Sequence, residues 1–203
     1  MLPEQVSVLE QALHVFVLTL QIGVVPEGMA LFGRLTGAEF LSFAGRMYGL
    51  DRATAAKRAS ELLDFMQLAD QPKKLVTDYS HGMQKKLALA AAVIHGPRVL
   101  FLDEPFEGVD AIAAGTLKAT LNRMIARGAT IFLTSHVLEI VERLCSHVAI
   151  IHRGELVAQG SIDELRAGVS AQREDGQKLS LEQIFLEIVG GERAAVPELS
   201  WLE

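Results

Sequence analysis

Two adjacent carboxylates at the end of an apolar run are the first residues in this chain that could do chemistry. Val99-Leu-Phe-Leu-Asp-Glu-Pro105 reads as a hydrophobic strand that delivers Asp103 and Glu104 to the carboxyl edge of a sheet, where open α/β folds bind ligands. One acid can hold Mg²⁺ through water while the other polarises an attacking water. The bland alternative is a strand that ends in a solvated acidic turn. Thr134-Ser-His136 ends a second apolar run, and an imidazole at a strand end can donate a hydrogen bond to a phosphate oxygen. Tyr79-Ser-His-Gly-Met-Gln-Lys-Lys86 precedes the acidic strand by one helix, Gly108-Val-Asp110 follows it, and Ile22-Gly-Val-Val-Pro-Glu27 ends an earlier strand. Ser80 and Met83 also suit an N-cap with a buried methionine. Lys85 and Lys86 read as a solvated helix face. His14, His81, His95, His147 and His152 stand outside any such pattern and read as structural.

The elements that must position these groups alternate between strand and helix patterns, as in an α/β sheet packed with helices. Ile22 to Val25 reads as a short strand stopped by Pro26. Thr36-Gly-Ala-Glu39 is a capping box opening a helix to Tyr48, and Asp51 caps the next, with Ala55, Ala59, Leu62, Leu63 and Met66 at helical spacing. A third helix runs from Ser80 through LALAAAVI to the stop at Gly96-Pro97. Continuous apolar runs at 99–102 and 129–133 predict two buried, adjacent parallel strands. A helix over 111–126, stopped by Gly128, lies between them, and another covers 137–144. Residues 147–152 and 155–158 read as a hairpin turned at Arg153-Gly154. Ser161-Ile-Asp-Glu164 and Ser180-Leu-Glu-Gln183 are two further capping boxes.

In this order the five motifs resemble the Q-loop, signature helix, Walker B strand, D-loop and switch histidine of the ATP-binding subunit of ABC transporters, over residues 22–189. The resemblance implies an α/β, P-loop NTPase-like (ABC ATPase) core sheet with a helical subdomain at about 36–96. It implies that Asp103 is the Walker B aspartate on the metal, Glu104 the catalytic base and His136 the switch histidine that senses the γ-phosphate. Asp110 is similar to the D-loop aspartate that couples the halves of a dimer. Ser80 and Gly82 match the signature motif, whose helix N-terminus aims N–H groups at a phosphate of the opposite subunit's ATP. His81 replaces a glycine of that motif and Met83 a glutamine, and the form Tyr-Ser-x-Gly-Met is similar to that of ABC-2-type exporters. Glu27 stands where the Q-loop usually has glutamine; a carboxylate can bind Mg²⁺ or water but cannot donate as an amide does.

The cofactors so implied are ATP and Mg²⁺. The implied partners are a transmembrane permease, docking around residues 28–34 and the helix after them, and a second ATPase subunit in a head-to-tail dimer. The implied location is cytoplasmic, peripheral at the inner face of the cell membrane.

A phosphate-binding loop needs G-x-x-x-x-G-K-[ST], and these 203 residues contain no Gly-Lys pair. The first glycine, Gly23, already lies in the Q-loop segment, and residues 1–21 resemble none of the elements that precede it in the family. The expectation is an N-terminally truncated ABC ATPase domain over 22–189 after a divergent segment, with a flexible tail at 190–203 that holds the lone Trp201. Such a chain should neither bind nor hydrolyse ATP by itself. The alternative is a non-catalytic interaction protein, or a decayed or misread fragment.

Composition narrows the classes further. Half the residues are hydrophobic, enough for a sizeable core. A net charge of -6 argues against nucleic acid, whose phosphates need a basic surface. The single Cys145 excludes an internal disulfide or a cysteine-rich zinc site. The apolar stretch at 12–25 is shorter than the roughly 20 residues of a membrane helix, and it lacks the basic start of a signal peptide.

Overall fold

The computed structural model describes residues 19–29, 31–170 and 179–190. The segment at 1–18, with His14, and the tail at 191–203, with Trp201, lie outside the described residues. The chain divides into two compact units, the first ending at Ser135 and the second beginning at His136.

The first unit is built on three parallel strands in the order β1 (Ile22–Val25), β2 (Val99–Asp103), β3 (Thr130–Thr134). The runs at 99–102 and 129–133 are therefore neighbours, as their sequence requires, with Leu100 opposite Ile131 and Asp103 opposite Thr134. The strands are not buried on both sides, however. Val25, Leu100 and Leu102 are 2%, 0% and 3% exposed, whereas Val24, Phe101 and Phe132 form a cross-strand row that is 54%, 42% and 55% exposed. Alternation puts successive side chains on opposite faces, and the two rows meet different surroundings. The Phe101 and Phe132 rings stack on each other at 5.2 Å.

Three helices carry the block between β1 and β2: α1 (Gly37–Met47), α2 (Arg52–Phe65) and α3 (His81–Val93). Thr36 and Glu39 form the expected reciprocal capping box on α1. The Asp51 carboxylate accepts the Ala53 and Thr54 N–H groups at the head of α2, and the Ser80 hydroxyl accepts the Met83 N–H at the head of α3. Such caps satisfy donors that the first helical turn leaves without partners, and each contributes about 1 kcal/mol. Leu41, Ala55, Met66 and Leu87 have no measurable exposure in this block. Helix α3 lies directly on the sheet: a Cβ added to Gly23 would stand 2.3 Å from the Ala92 carbonyl oxygen. A fourth helix, α4 (Ala111–Ala126), joins β2 to β3 and ends before Gly128, whose φ of +85° suits glycine.

The second unit has its own small core. It holds α5 (Leu138–Leu144), a hairpin of β4 (His147–His152) and β5 (Glu155–Ser161), then α6 (Ile162–Ser170) and α7 (Leu181–Ile188). Arg153 and Gly154 both take positive φ, which matches the right-handed twist of the hairpin. Ser161 and Glu164 cap α6 reciprocally, and Ser180 and Gln183 do so for α7. Leu165, Leu179 and Ile184 are the buried centre, packed against Val148, Ala158, Val169 and Ile188. Arg166 ties this unit together through an ion pair to Glu142 and a 2.9 Å hydrogen bond to the Leu179 carbonyl.

Candidate functional site

Strand β2 ends at Asp103, and the next residue leaves the sheet abruptly. Glu104 has a φ of +43°, a left-handed conformation that costs a side-chain-bearing residue roughly 1–3 kcal/mol and persists only under constraint. The constraint comes from both sides of the residue. Its N–H donates to the Thr134 hydroxyl at 3.2 Å, and that hydroxyl donates in turn to Asp103 Oδ1 at 2.5 Å. Its carbonyl accepts the Lys85 ammonium from α3 at 2.7 Å and the Glu107 N–H at 3.3 Å. The two acids are thus fixed by one residue of β3 and one of α3.

The reading of Lys85 and Lys86 as a solvated face is overturned here. They are 3% and 7% exposed, because α3 is enclosed on most sides and its lysines reach inward. The alanine-rich run that follows them was the available signal, since a helix that is apolar all round is a buried one.

The loop from Glu104 to Asp110 folds back onto the head of α3. His81 Nε2 lies 3.3 Å from the Glu107 carbonyl, and a Cβ on Gly108 (φ +65°) would stand 3.0 Å from the His81 ring. Gly82 is buried beside the same loop with more room: a Cβ added to it would make ordinary contacts, 3.4 Å from Asp110 Oδ2 and 3.5 Å from Ala113 Cβ. Asp110 caps α4, accepting the Ile112 and Ala113 N–H groups at 2.9 Å each. The Ala113 N–H chiefly holds the exposed Asp110 carboxyl below the ordinary range; some loss of hydration opposes this, and the Ile112 N–H and the charge of Lys86 add to it. Ser80 stands exposed at the cap of α3 beside this loop.

Within the first unit, Ser80 and Gly82 therefore adjoin the loop that carries Glu104 and Asp110, and Asp103 sits next to Glu104. Glu27 is exposed two residues past β1, in a turn closed by a 3.1 Å bond from the Met29 N–H to the Pro26 carbonyl. Since β1, β2 and β3 run parallel, the segment holding Glu27, the acid pair and Thr134 all lie at or just past carboxyl ends of strands. His136 is exposed two residues beyond β3, as the first residue of the second unit. Sequence reasoning quoted Thr134 within its motif without giving it a task.

The oxygen donors of Asp103 and Glu104 suit a hard cation such as Mg²⁺, which takes one or two carboxylates and completes its shell with water and phosphate oxygens. Among the described residues no three His, Cys, Asp or Glu cluster to hold a metal by themselves, and none of the 203 residues forms a G-x-x-x-x-G-K-[ST] cradle for the phosphates.

A family model described as "ABC transporter" matches residues 5–107. Among curated proteins, the linearmycin resistance ATP-binding protein LnrL of Bacillus subtilis is 38% identical over 145 residues, 71% of this chain and 47% of that protein. The daunorubicin resistance ATP-binding protein DrrA3 of Streptomyces coeruleorubidus is 36% identical over 160 residues, 79% of this chain and 51% of that protein. The Nod factor export ATP-binding protein I of Cupriavidus metallidurans is 37% identical over 146 residues, 72% and 48% respectively. This chain thus spans about half the length of the curated relatives it matches. A solved structure described as that of an ATP binding subunit of an ABC transporter superposes with a TM-score of 0.77 at 30% identity, covering 87% of this chain and 72% of that one.

Proposed function

This chain belongs to the ABC transporter family, and from that premise we propose that it serves as an ATP-binding subunit of an exporter, working beside a second ATPase subunit that brings the phosphate loop. The observation that carries the reading is the single lattice of contacts joining the acid pair to the head of α3. Lys85 meets the Glu104 carbonyl, His81 meets the Glu107 carbonyl, and Gly82 packs on Asp110. In this reading Asp103 holds Mg²⁺, Glu104 is the catalytic base, His136 contacts the γ-phosphate, and Glu27 binds the cation or its water. Ser80 and Gly82 face the phosphates of ATP held by the other subunit in a head-to-tail pair, with Asp110 at the seam. The form of the α3 motif, and relatives named for drug resistance and Nod factor export, favour export as the direction of transport.

The permease would dock on the aromatic patch beside the Glu27 segment. Phe32, Phe43 and Met47 are 55%, 42% and 69% exposed, and the Phe32 ring meets the Phe40 and Phe43 rings edge-on at 6.0 and 5.4 Å. An apolar patch of this kind suits a partner helix. No helix among the described residues is long and apolar enough to cross a membrane; in this reading the membrane contact is the permease's, at the cytoplasmic face.

Since the 203 residues hold no phosphate cradle, the purified chain is predicted to show no ATP turnover above background. Phosphoryl transfer depends on charge stabilisation that Asp103, Glu104 and His136 do not supply. The check is a turnover assay of the wild-type chain beside Glu104→Gln. Turnover that the substitution abolishes would mean that these residues bind and hydrolyse ATP without a partner, and this division of labour would be wrong.

A further inference from the structure

A lysine that is 3% exposed just ahead of a buried apolar run demands a reason. Leu87, Ala88, Leu89 and Ala90 follow it and are all buried, so an aliphatic side chain at position 85 would extend an existing surface. An ammonium there must instead be stripped of water, a cost that only a partner of good geometry offsets. That partner is the carbonyl of Glu104, 2.7 Å from Nζ. The same carbonyl takes the Glu107 N–H at 3.3 Å, closing the first turn of the loop that runs on to Gly108 and Asp110. Glu104 is also the residue held at a φ of +43°. A charge-assisted hydrogen bond roughly doubles a neutral one, and here it falls on the carbonyl that follows the left-handed φ of Glu104.

We propose that Lys85 is a positioning residue. It locks the Glu104 peptide and the loop at 104–110 in one geometry with the head of α3, so that the acid pair and Ser80 move as a single body. The functional consequence rests on the reading given above: a change at the acid pair would be felt at the helix end that serves the partner's ATP. Two further contacts belong to the same body. The His81 ring lies over Gly108, and Gly82 packs on Asp110. Those two contacts are made with Gly108 and Asp110, whereas Lys85 bonds the Glu104 carbonyl directly.

The test uses the full 203-residue chain with Lys85→Met, which keeps the length and apolar stem, and Lys85→Gln, which restores a donor. Amide hydrogen exchange at Glu104 and Glu107 should quicken about tenfold or more in Lys85→Met, the factor expected from losing one hydrogen bond to a charged group, and recover in part in Lys85→Gln. The denaturation midpoint should hold or rise, since a buried charge has been removed. Exchange quickened evenly along α3 and β2, the mark of general loosening and not of a local tie to the loop, would overturn the proposal. So would unchanged exchange at Glu104 and Glu107. In the second arm, Lys85→Met should weaken ATP-dependent association with a complete ATPase subunit at least tenfold while any ATP-independent association persists. Faster loop exchange with unaltered ATP dependence would also overturn it. If the wild-type chain shows no ATP-dependent pairing, the functional reading fails and the exchange arm alone decides whether Lys85 sets the loop.

Discussion

Glu104 and His95 show how single residues in this chain are held against their ordinary preferences. Glu104 keeps a left-handed backbone because Thr134 and Lys85 grip its two ends. His95 is held against its own charge. Its ring stacks on Tyr48 at 3.7 Å and nearly parallel, and Nε2 lies 3.2 Å from the Ile22 carbonyl, which fixes the proton on that nitrogen. Burial lowers its pKa, the Ile22 carbonyl partly counters this, and the Arg58 charge lowers it further. A folded pKa below the unfolded value of about 6.5 means that the unfolded chain takes up the proton more readily. The stability contributed by neutral His95 is therefore complete above about pH 6.5 and is lost as pH falls from there through the folded value. The first unit should have a lower denaturation midpoint at pH 5 than at pH 7.5, and His95→Gln should flatten that dependence. An equal slope in the variant would assign the effect to another group. At this scale the acids, the cap residues and the motif serines were legible because their types and spacing are local signals. Lys85 and Thr134 were not, since their partners lie 19 and 30 residues away.

Helix starts were the elements most open to sequence reasoning. Thr36, Asp51, Ser80 and Ser180 each cap the helix that their neighbours announce, since a cap is settled within four residues. The parallel pairing of β2 and β3 was equally open, because an apolar run, a helix and another apolar run leave few alternatives. The open row of Val24, Phe101 and Phe132 was not legible. Apolar residues in succession promise two hydrophobic faces, but what covers each face is decided by the packing of other elements. The close seat of α3 on β1 gives a prediction. Gly23→Ala would put a Cβ 2.3 Å from the Ala92 carbonyl oxygen and 2.7 Å from the Leu100 side chain. Backbone on one side and core on the other leave little room to yield, so the cost should be about 1–3 kcal/mol in chemical denaturation. A neutral Gly23→Ala would mean that α3 rides further from the sheet.

For the molecule as a whole, the first unit holds every candidate residue except His136, while the second carries a separate core around Leu165, Leu179 and Ile184. The family, fold class and motif order were readable from 203 residues because ABC ATP-binding domains string their motifs along a fixed α/β frame. The division of labour proposed for the acids and the helix end follows from an asymmetry of the sequence. The signature-like helix carries its serine cap and a buried glycine, whereas these residues contain no loop to hold a nucleotide's phosphates. Helix-end contacts to a phosphate are individually modest, about 1 kcal/mol, but several together with charge-assisted bonds can make association depend on the nucleotide. The most direct measurement is co-purification of this chain with the complete ATPase subunit encoded nearest to it, with and without ATP, for the wild type and Ser80→Arg. The account predicts that ATP strengthens association of the wild type and has no such effect on Ser80→Arg, whose bulk fills the phosphate-facing end of α3. Association that ignores ATP, or none with either a complete subunit or a permease, would contradict it.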